Sequence, residues 1–497
     1  MTKNSQTLDQ CDLTTPWTST NAFIDAYIQK TAGSQKFAAE HRSYHVDKSS
    51  IALGAASLTD QLAYPIVVDR AEGAYVWDID GNHYVDILQG LGANLFGHNP
   101  DFVREAIENQ LVAGFPIGLQ NQLVGEVAQL LVKLTGMPRI CFSNTGTEAI
   151  MTAIRVARAK SGRSRIVLFT DSYHGHADTV LMRAPLIEYA RKKIMRRFGH
   201  LPLFRSLLSR TQSSRAVPAS PGIPNSIAKD VLVLEYGNPK SIDLIKSYGS
   251  QLAAVLVEPV QSRCPELQPR DFLHELRTVT LSCGAALVFD EMVTGFRVHP
   301  GGAQAYFDVE ADLATYSKVV GGGLPLSVLA GRHEYMDFLQ PRDAQDIKTV
   351  FFAGTFCKHP LSLAASHAVL HRLVDAGPLL QEQLNRRTQE LVVRLNAMTA
   401  QEEIPIQFSC FGSFFSISLR NSEIAPEQIS WLSYRLLYEG VHLRGGDRGG
   451  FLTTAHSNED IEKIYNAFQV AVQGLAAERK TPSRHRNPDF NEPSQER

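Results

Sequence analysis

Five short runs along this chain are almost wholly apolar, and they constrain its fold more than any other feature. They are "RICF" (139–142), "RIVLF" (165–169), "VLVL" (231–234), "AAVLVEP" (253–259) and "AALVFD" (285–290). A strand with one wet face alternates apolar and polar residues. A run that does not alternate has to be covered on both faces. Helix-period segments lie between the runs. "TEAIMTAIRVARAK" follows the first, and "DFLHELRTVTLSCG" joins the last two as a crossover helix would. The pattern predicts an α/β domain on a mainly parallel sheet.

The ends of the chain read differently. "AYVWDIDGNHYVDIL" (74–88) alternates around Asp80-Gly81, a hairpin signal. "GSFFSISL" (412–419) is strand-like, and "NEDIEKIYNAFQVAVQGL" (458–475) is an amphipathic helix with Asn458 as its expected N-cap. We therefore expect a polar tail over 1–20 and the N-terminal part of a smaller α+β domain over 21–104. A large domain would span 105–345, the C-terminal part of the small one 346–477, and a disordered tail 478–497.

The net charge is −2, which offers no signal for nucleic acid. No apolar run reaches the roughly 18–20 residues of a transmembrane segment. The N-terminus "MTKNSQTLDQCDLTTPW" lacks the apolar core of a secretion signal. The six cysteines, at 11, 141, 264, 283, 357 and 410, form no C-x-x-C pair. Together these predict a cytoplasmic protein with reduced thiols and no structural zinc.

Four places carry chemistry. Lys318 stands just before Gly321, Gly322 and Gly323 in "YSKVVGGGLP". A lysine amine traps carbonyls when burial lowers its pKa, and glycines would leave room for the adduct. Alone, it reads as readily as an exposed loop lysine. Asp290 ends an apolar strand in "FDEMVTGFR", where open α/β sheets place ligands. A buried carboxylate there needs a partner, and a protonated pyridine nitrogen is one; a helix cap or ion pair is another. Thr145, Gly146 and Thr147 lie between a strand and a helix, where free N–H groups favour phosphate or a simple cap. Tyr173 follows "RIVLF" and could stack on a flat ring or pack in the core. His174, Gly175 and His176 resemble a metal cluster, but no acidic partner stands at metal-site spacing, so metal binding is the weaker reading. A phosphate, an aromatic ring, a pyridinium and a lysine-bound aldehyde together describe pyridoxal 5'-phosphate.

Over roughly residues 60–475 the chain resembles the class III PLP-dependent aminotransferases. It resembles glutamate-1-semialdehyde 2,1-aminomutase and is similar also to the aminotransferase domains of polyketide and nonribosomal peptide assembly lines. The segments that carry the resemblance are "VWDIDGNHYVDI", "LFGHNP", "SNTGTEA", "SYHGH", "VEPVQ", "VFDEMVTGFRVHPGGAQAYF", "DLATYSKVVGGGLP" and "GTFCKHPLSLAA". The resemblance implies the fold type I architecture, with the large domain binding the cofactor. It implies that Lys318 binds the cofactor covalently and that Asp290 pairs with its ring nitrogen. Tyr173 would cover one ring face, and Met292 or Val293 the other. Thr145, Gly146 and Thr147 would bind the phosphate, and Glu258 would line the site. Thr355 would reach the cofactor of a second subunit, which implies a homodimer.

The chain also departs from the aminomutase. "IALGAASLTDQLAYPIVVDR" lacks the S-P-V-R-A-F-like stretch whose Arg helps bind the substrate carboxylate, and "CKHP" replaces S-G-N-P after "GTF". "FIDAYIQKTAGSQKFAAEHR" (23–42) is more similar to the lead-in of assembly-line domains. The expected reaction moves an amine from an amino-acid donor to an oxo acceptor, first of all a β-oxoacyl chain on a carrier protein. A free aldehyde or aminomutase-type chemistry is the alternative. Residues 183–215 hold nine Lys or Arg and one acid, Glu188. They read as a dock for an acidic acyl carrier protein, a lipid-binding helix or a solvated basic face.

Overall fold

The computed structural model describes residues 20–46, 60–185, 215–340, 349–444, 446 and 448–480. The basic stretch is therefore mostly outside the described residues, as are residues 51–59 and the tail beyond 480. No described helix is long and apolar enough to cross a membrane.

The N-terminal hairpin forms as its alternation predicts. Strands β1 (Val68–Glu72), β2 (Tyr75–Asp78) and β3 (His83–Asp86) pair antiparallel in sequence. Asp78 accepts the backbone N–H groups of Asp80 and Asn82 inside the turn, and Gly81 takes φ +85°, a left-handed conformation open to glycine.

The apolar runs become one seven-stranded sheet. Its strands are β4 (Arg139–Ser143), β5 (Arg165–Phe169), β8 (Val231–Leu234), β9 (Leu252–Val257), β10 (Ala286–Asp290), β11 (Leu313–Tyr316) and β12 (Ser327–Gly331). A short pair, β6 (Met182–Arg183) with β7 (Val217–Pro218), stands apart. The spatial order is β4-β12-β11-β10-β9-β5-β8. All run parallel except β12, which is antiparallel to both neighbours. Every residue of β8, β9, β10, β11 and β12 is buried, as unbroken apolar runs require. The fold is the α/β architecture of fold type I, its helices including Gly146–Ser161 and the crossover Arg270–Cys283.

Both chain ends meet in the smaller sheets. Strand β15 (Val441–His442) adds parallel to β3, while β13 (Phe408–Phe411), β14 (Phe414–Ile417) and β16 (Gly449–Phe451) form a third sheet. The last helix, Asn458–Lys480, corrects two expectations. Its cap is Ser457 rather than Asn458. Ser457 Oγ accepts the Asp460 N–H at 3.1 Å, and Asp460 Oδ2 accepts the Ser457 N–H at 2.9 Å, a reciprocal capping box. The helix also runs to Lys480, into the stretch expected as a tail from 478.

Candidate active site

Four neighbouring strands of the central sheet deliver ionisable side chains at or past their C-terminal ends. In spatial order they are β5, β9, β10 and β11. Tyr173 and His174 follow β5, Glu258 follows β9, Asp290 ends β10 and Lys318 follows β11. Parallel strands align these ends, so groups far apart in sequence converge there.

Asp290 and His174 are both buried, and Asp290 Oδ2 accepts from His174 Nδ1 at 2.7 Å. The other oxygen, Oδ1, accepts the Met292 N–H at 3.1 Å. Burial alone would lower His174, but the hydrogen bond and charge of Asp290 outweigh it and hold the imidazole above its ordinary value. His174 Nε2 is buried with no partner among the described residues. Glu258 Oε1 accepts the Tyr173 N–H at 2.7 Å and Oε2 the Ser262 N–H at 3.3 Å, so it pins the loop after β5. Burial pushes Glu258 up, against the opposing pull of His174. Lys318 is pushed down by burial, with Asp290 and Glu258 opposing.

The lysine sits in a constrained turn. Its φ is +54°, rare for a side chain with a Cβ. Ser317 before it is anchored to the start of β12, donating to the Leu326 carbonyl at 2.8 Å and accepting from Ser327 Oγ at 2.7 Å. Of the glycines that follow, Gly322 is the closely packed one, while a Cβ on Gly321 or Gly323 would meet nothing nearer than 3.6 Å. Gly322 takes φ +58°, and a Cβ there would meet Val369 at 3.0 Å and the Ala365 carbonyl at 3.1 Å. It lets the turn lie against the helix Pro360–Ala376.

Thr145 caps the helix Gly146–Ser161, its Oγ1 accepting the Glu148 N–H at 3.3 Å. The N–H groups of Gly146 and Thr147 have no intrahelical acceptor, as at every helix start. A Cβ on Gly146 would stand 2.8 Å from Met292 Sδ, so the loop after β10 packs on this helix end. Thr147 Oγ1 accepts the His176 N–H at 3.4 Å, bringing the loop after β5 there as well. Tyr173 is 51% exposed, its ring 5.9 Å from the Arg263 guanidinium. Val293 is half-buried beside Met292. Thr355 lies apart, exposed on the loop 351–359, and the neighbouring Gly354 packs on Asn144, just ahead of the Thr145 cap.

The sequence model of the aminotransferase class-III family matches residues 57–449. The chain belongs to that family. Class III aminotransferases are pyridoxal 5'-phosphate enzymes, and this chain is such an aminotransferase. It is 33% identical over 432 residues to the glutamate-1-semialdehyde 2,1-aminomutase of Chloroflexus aurantiacus, covering 83% of this chain and 90% of the relative. It is 32% identical over 424 residues to that of Alkaliphilus oremlandii, covering 83% and 92%. Among solved structures, a β-phenylalanine aminotransferase from Variovorax paradoxus superposes with TM-score 0.74 at 26% identity, covering 92% of this chain and 98% of that one. A glutamate-1-semialdehyde aminomutase from Pseudomonas aeruginosa PAO1 reaches 0.75 at 22% identity, covering 92% and 97%, which speaks for the fold alone.

The aminotransferase's own residues fit the cofactor. The site offers a carboxylate, an amine of lowered pKa, a helix start with unused N–H groups and a buried imidazole nitrogen without a partner among the described residues. Sequence reasoning weighed His174 only as a metal ligand and passed over Arg297, which is fully buried and donates to Ser413 Oγ and the Leu452 and Gly92 carbonyls. His174 carried a usable signal: like Asp290, it stands just beyond an apolar run. Arg297 carried none, because its partners are backbone carbonyls and a serine distant in sequence.

Proposed function

We propose that this aminotransferase moves the amine of an amino acid to an oxo acceptor at the cluster of Lys318, Asp290, His174 and Glu258. The observation that carries the reading is the convergence of a half-buried lysine of lowered pKa with a histidine-backed aspartate past adjacent strands. When bound, pyridoxal phosphate supplies an aldehyde for amines and a ring that accepts electron density. Lys318 Nζ would hold the cofactor, and its amine would serve as general base and acid. Its lowered pKa keeps a fraction of the amine neutral for that work. Asp290 would pair with the protonated ring nitrogen, and the Nδ1–H of His174 keeps its carboxylate oriented. Gly146, Thr147 and Thr145 hold the phosphate at the helix start. Tyr173 would cover one face of the ring and Met292 or Val293 the other, and Glu258 fixes the Tyr173 loop.

The working unit is a homodimer in this reading. Phe351 (77% exposed), Phe352 and Phe356 lie on the Thr355 loop, with Phe115, Ile117 and Leu119 also exposed. Lys358 donates to Gln120 at 2.8 Å, and Phe115 stacks on His359, so the two loops form one apolar surface. A patch of this kind marks an interface, and a second copy would bring Thr355 to its partner's cofactor. Phe356→Asp should give monomers by light scattering and lose cofactor; an active monomer would rule out the shared site.

For the acceptor, a β-oxoacyl thioester on a carrier protein is our first reading. It is supported by the missing S-P-V-R-A-F-like stretch and the assembly-line-like segment 23–42, here two helices, Thr20–Lys30 and Ala32–His41. The basic stretch 183–215 would dock the carrier. Aminomutase-type or free-aldehyde chemistry is the second reading, favoured by the names of the 32–33% identical relatives. A half-reaction screen decides: amino-acid donors first, then glutamate-1-semialdehyde, free aldehydes and carrier-bound β-oxoacyl thioesters as acceptors. Turnover with the semialdehyde and none with thioesters would overturn the first reading.

A further inference from the structure

Arg297 is fully buried at 0% exposure, and among the described residues no acid lies against it. Its acceptors are all neutral. Nη1 donates to Ser413 Oγ at 2.7 Å and the Leu452 carbonyl at 3.2 Å, and Nη2 donates to the Gly92 carbonyl at 2.7 Å. Its Nε has no partner among the described residues, and its charge lies 5.1 Å from the Phe451 ring. Taking a guanidinium out of water without a counter-charge is costly, and packing alone does not require a charge.

The surroundings suggest a purpose. Gln89, Gly90, Leu91 and Gly92 are consecutive residues at positive φ (45°, 60°, 58° and 87°), a left-handed turn that side chains disfavour. That turn packs against both β16 and the turn Lys318–Gly321. Gly92 cannot carry a Cβ, which would stand 2.7 Å from the Phe451 ring. Arg297 holds the end of the turn through the Gly92 carbonyl. Its own segment lies along the lysine-bearing strand: the Phe296 ring is 5.1 Å from Tyr316, and a Cβ on Gly295 would stand 2.6 Å from the same ring.

We propose that Arg297 is a positioning residue that clamps the left-handed turn 89–92 against the Lys318 turn and sets an uncompensated cation beside the lysine. The inference rests on Lys318 as the cofactor-bearing residue. Burial is the largest cause that lowers Lys318, and Arg297 adds to it, while Asp290 and Glu258 oppose. The cation thus acts in the same direction as burial and against the pull of the two carboxylates.

The test uses purified holoenzyme and reads the pH midpoint of its visible absorption beside kcat. Arg297→Gln removes the charge, so the protonated form gains and the midpoint should rise by about one unit. Arg297→Lys keeps the charge and loses the fork. Its midpoint should stay within a few tenths of wild type while kcat falls about tenfold from misplacement. A merely structural role would lower thermal stability and cofactor retention in both variants without separating their midpoints. An unmoved midpoint in Arg297→Gln, equal shifts in both variants, or failure of both to fold with cofactor would each overturn the proposal. Borohydride reduction and peptide mapping of wild type keeps the two ideas apart. A label away from Lys318 defeats the underlying reading, whereas a label on Lys318 with an unmoved midpoint defeats only the role of Arg297.

Discussion

Two buried aspartates, each held by imidazole, stand in different parts of this molecule. Asp86, at the end of β3, accepts from His442 Nδ1 and His98 Nε2, both at 2.7 Å, and from the Leu88 and Gln89 N–H groups at 2.9 and 3.0 Å. Asp290 accepts from one imidazole and one backbone N–H. Around Asp86 the donors outweigh the burial and hold the carboxyl well below the usual range. Around Asp290 the neighbours are Lys318, Glu258 and an imidazole nitrogen with no described partner. A buried carboxylate whose two oxygens each take two donors serves the fold, and here it secures the entry to the left-handed turn 89–92. A network left short of partners is where a ligand completes the set.

The largest effect should come from the ligand-completed network. Lys318→Ala should reduce turnover to background with the fold intact by circular dichroism, since the chain then lacks its attachment point and proton carrier. A folded variant retaining a tenth of wild-type turnover would break the comparison at its centre.

Asn at each aspartate separates the two networks directly. Asp290→Asn should cost about a thousandfold in kcat with modest loss of cofactor, because an amide cannot hold the ring nitrogen's proton. Asp86→Asn should instead cost about 2 kcal/mol of stability, read by denaturant midpoint, and leave kcat within about threefold. Exchange of these phenotypes would show that the roles are reversed.

The histidines sharpen the contrast through pH. The folded pKa of His174 is raised, so its contribution to stability is fully present below about 6.5 and is lost as pH rises through the folded value. Asp86 is depressed, so its contribution is present above about 3.9 and is lost as pH falls toward the folded value. The gap in thermal midpoint between wild type and His174→Gln should therefore narrow on the alkaline side. For Asp86→Asn it should narrow only in acid. His174→Gln should also lower kcat about tenfold, as loss of an orienting partner does.

The smallest effect should be that of Thr355→Ala. It removes one hydroxyl on an exposed loop, and we expect several-fold weaker cofactor retention on dialysis with kcat at saturating cofactor little changed. Retention equal to wild type would remove Thr355 from the site.

Local chemistry was legible in the sequence wherever a residue's neighbours in the chain determine its state. The unbroken apolar runs became the fully buried strands β8, β9 and β10. Asp80-Gly81 made its hairpin, and Asp290 and Lys318 came to lie past adjacent strand ends. The capping box of the last helix was also local, but the serine lay one residue ahead of the Asn458 chosen. Tertiary structure decided the rest, because strand order and burial depend on contacts between residues far apart in the chain. "LSVLAG" does not reveal that β12 runs backwards between β4 and β11. "SYHGH" does not say that His174 will donate to an aspartate 116 positions away. "TGFR" does not say that its arginine will be enclosed by Gly92, Ser413 and Leu452. Periodicity records which face of an element avoids water, and only packing assigns the partner that each buried polar group must find.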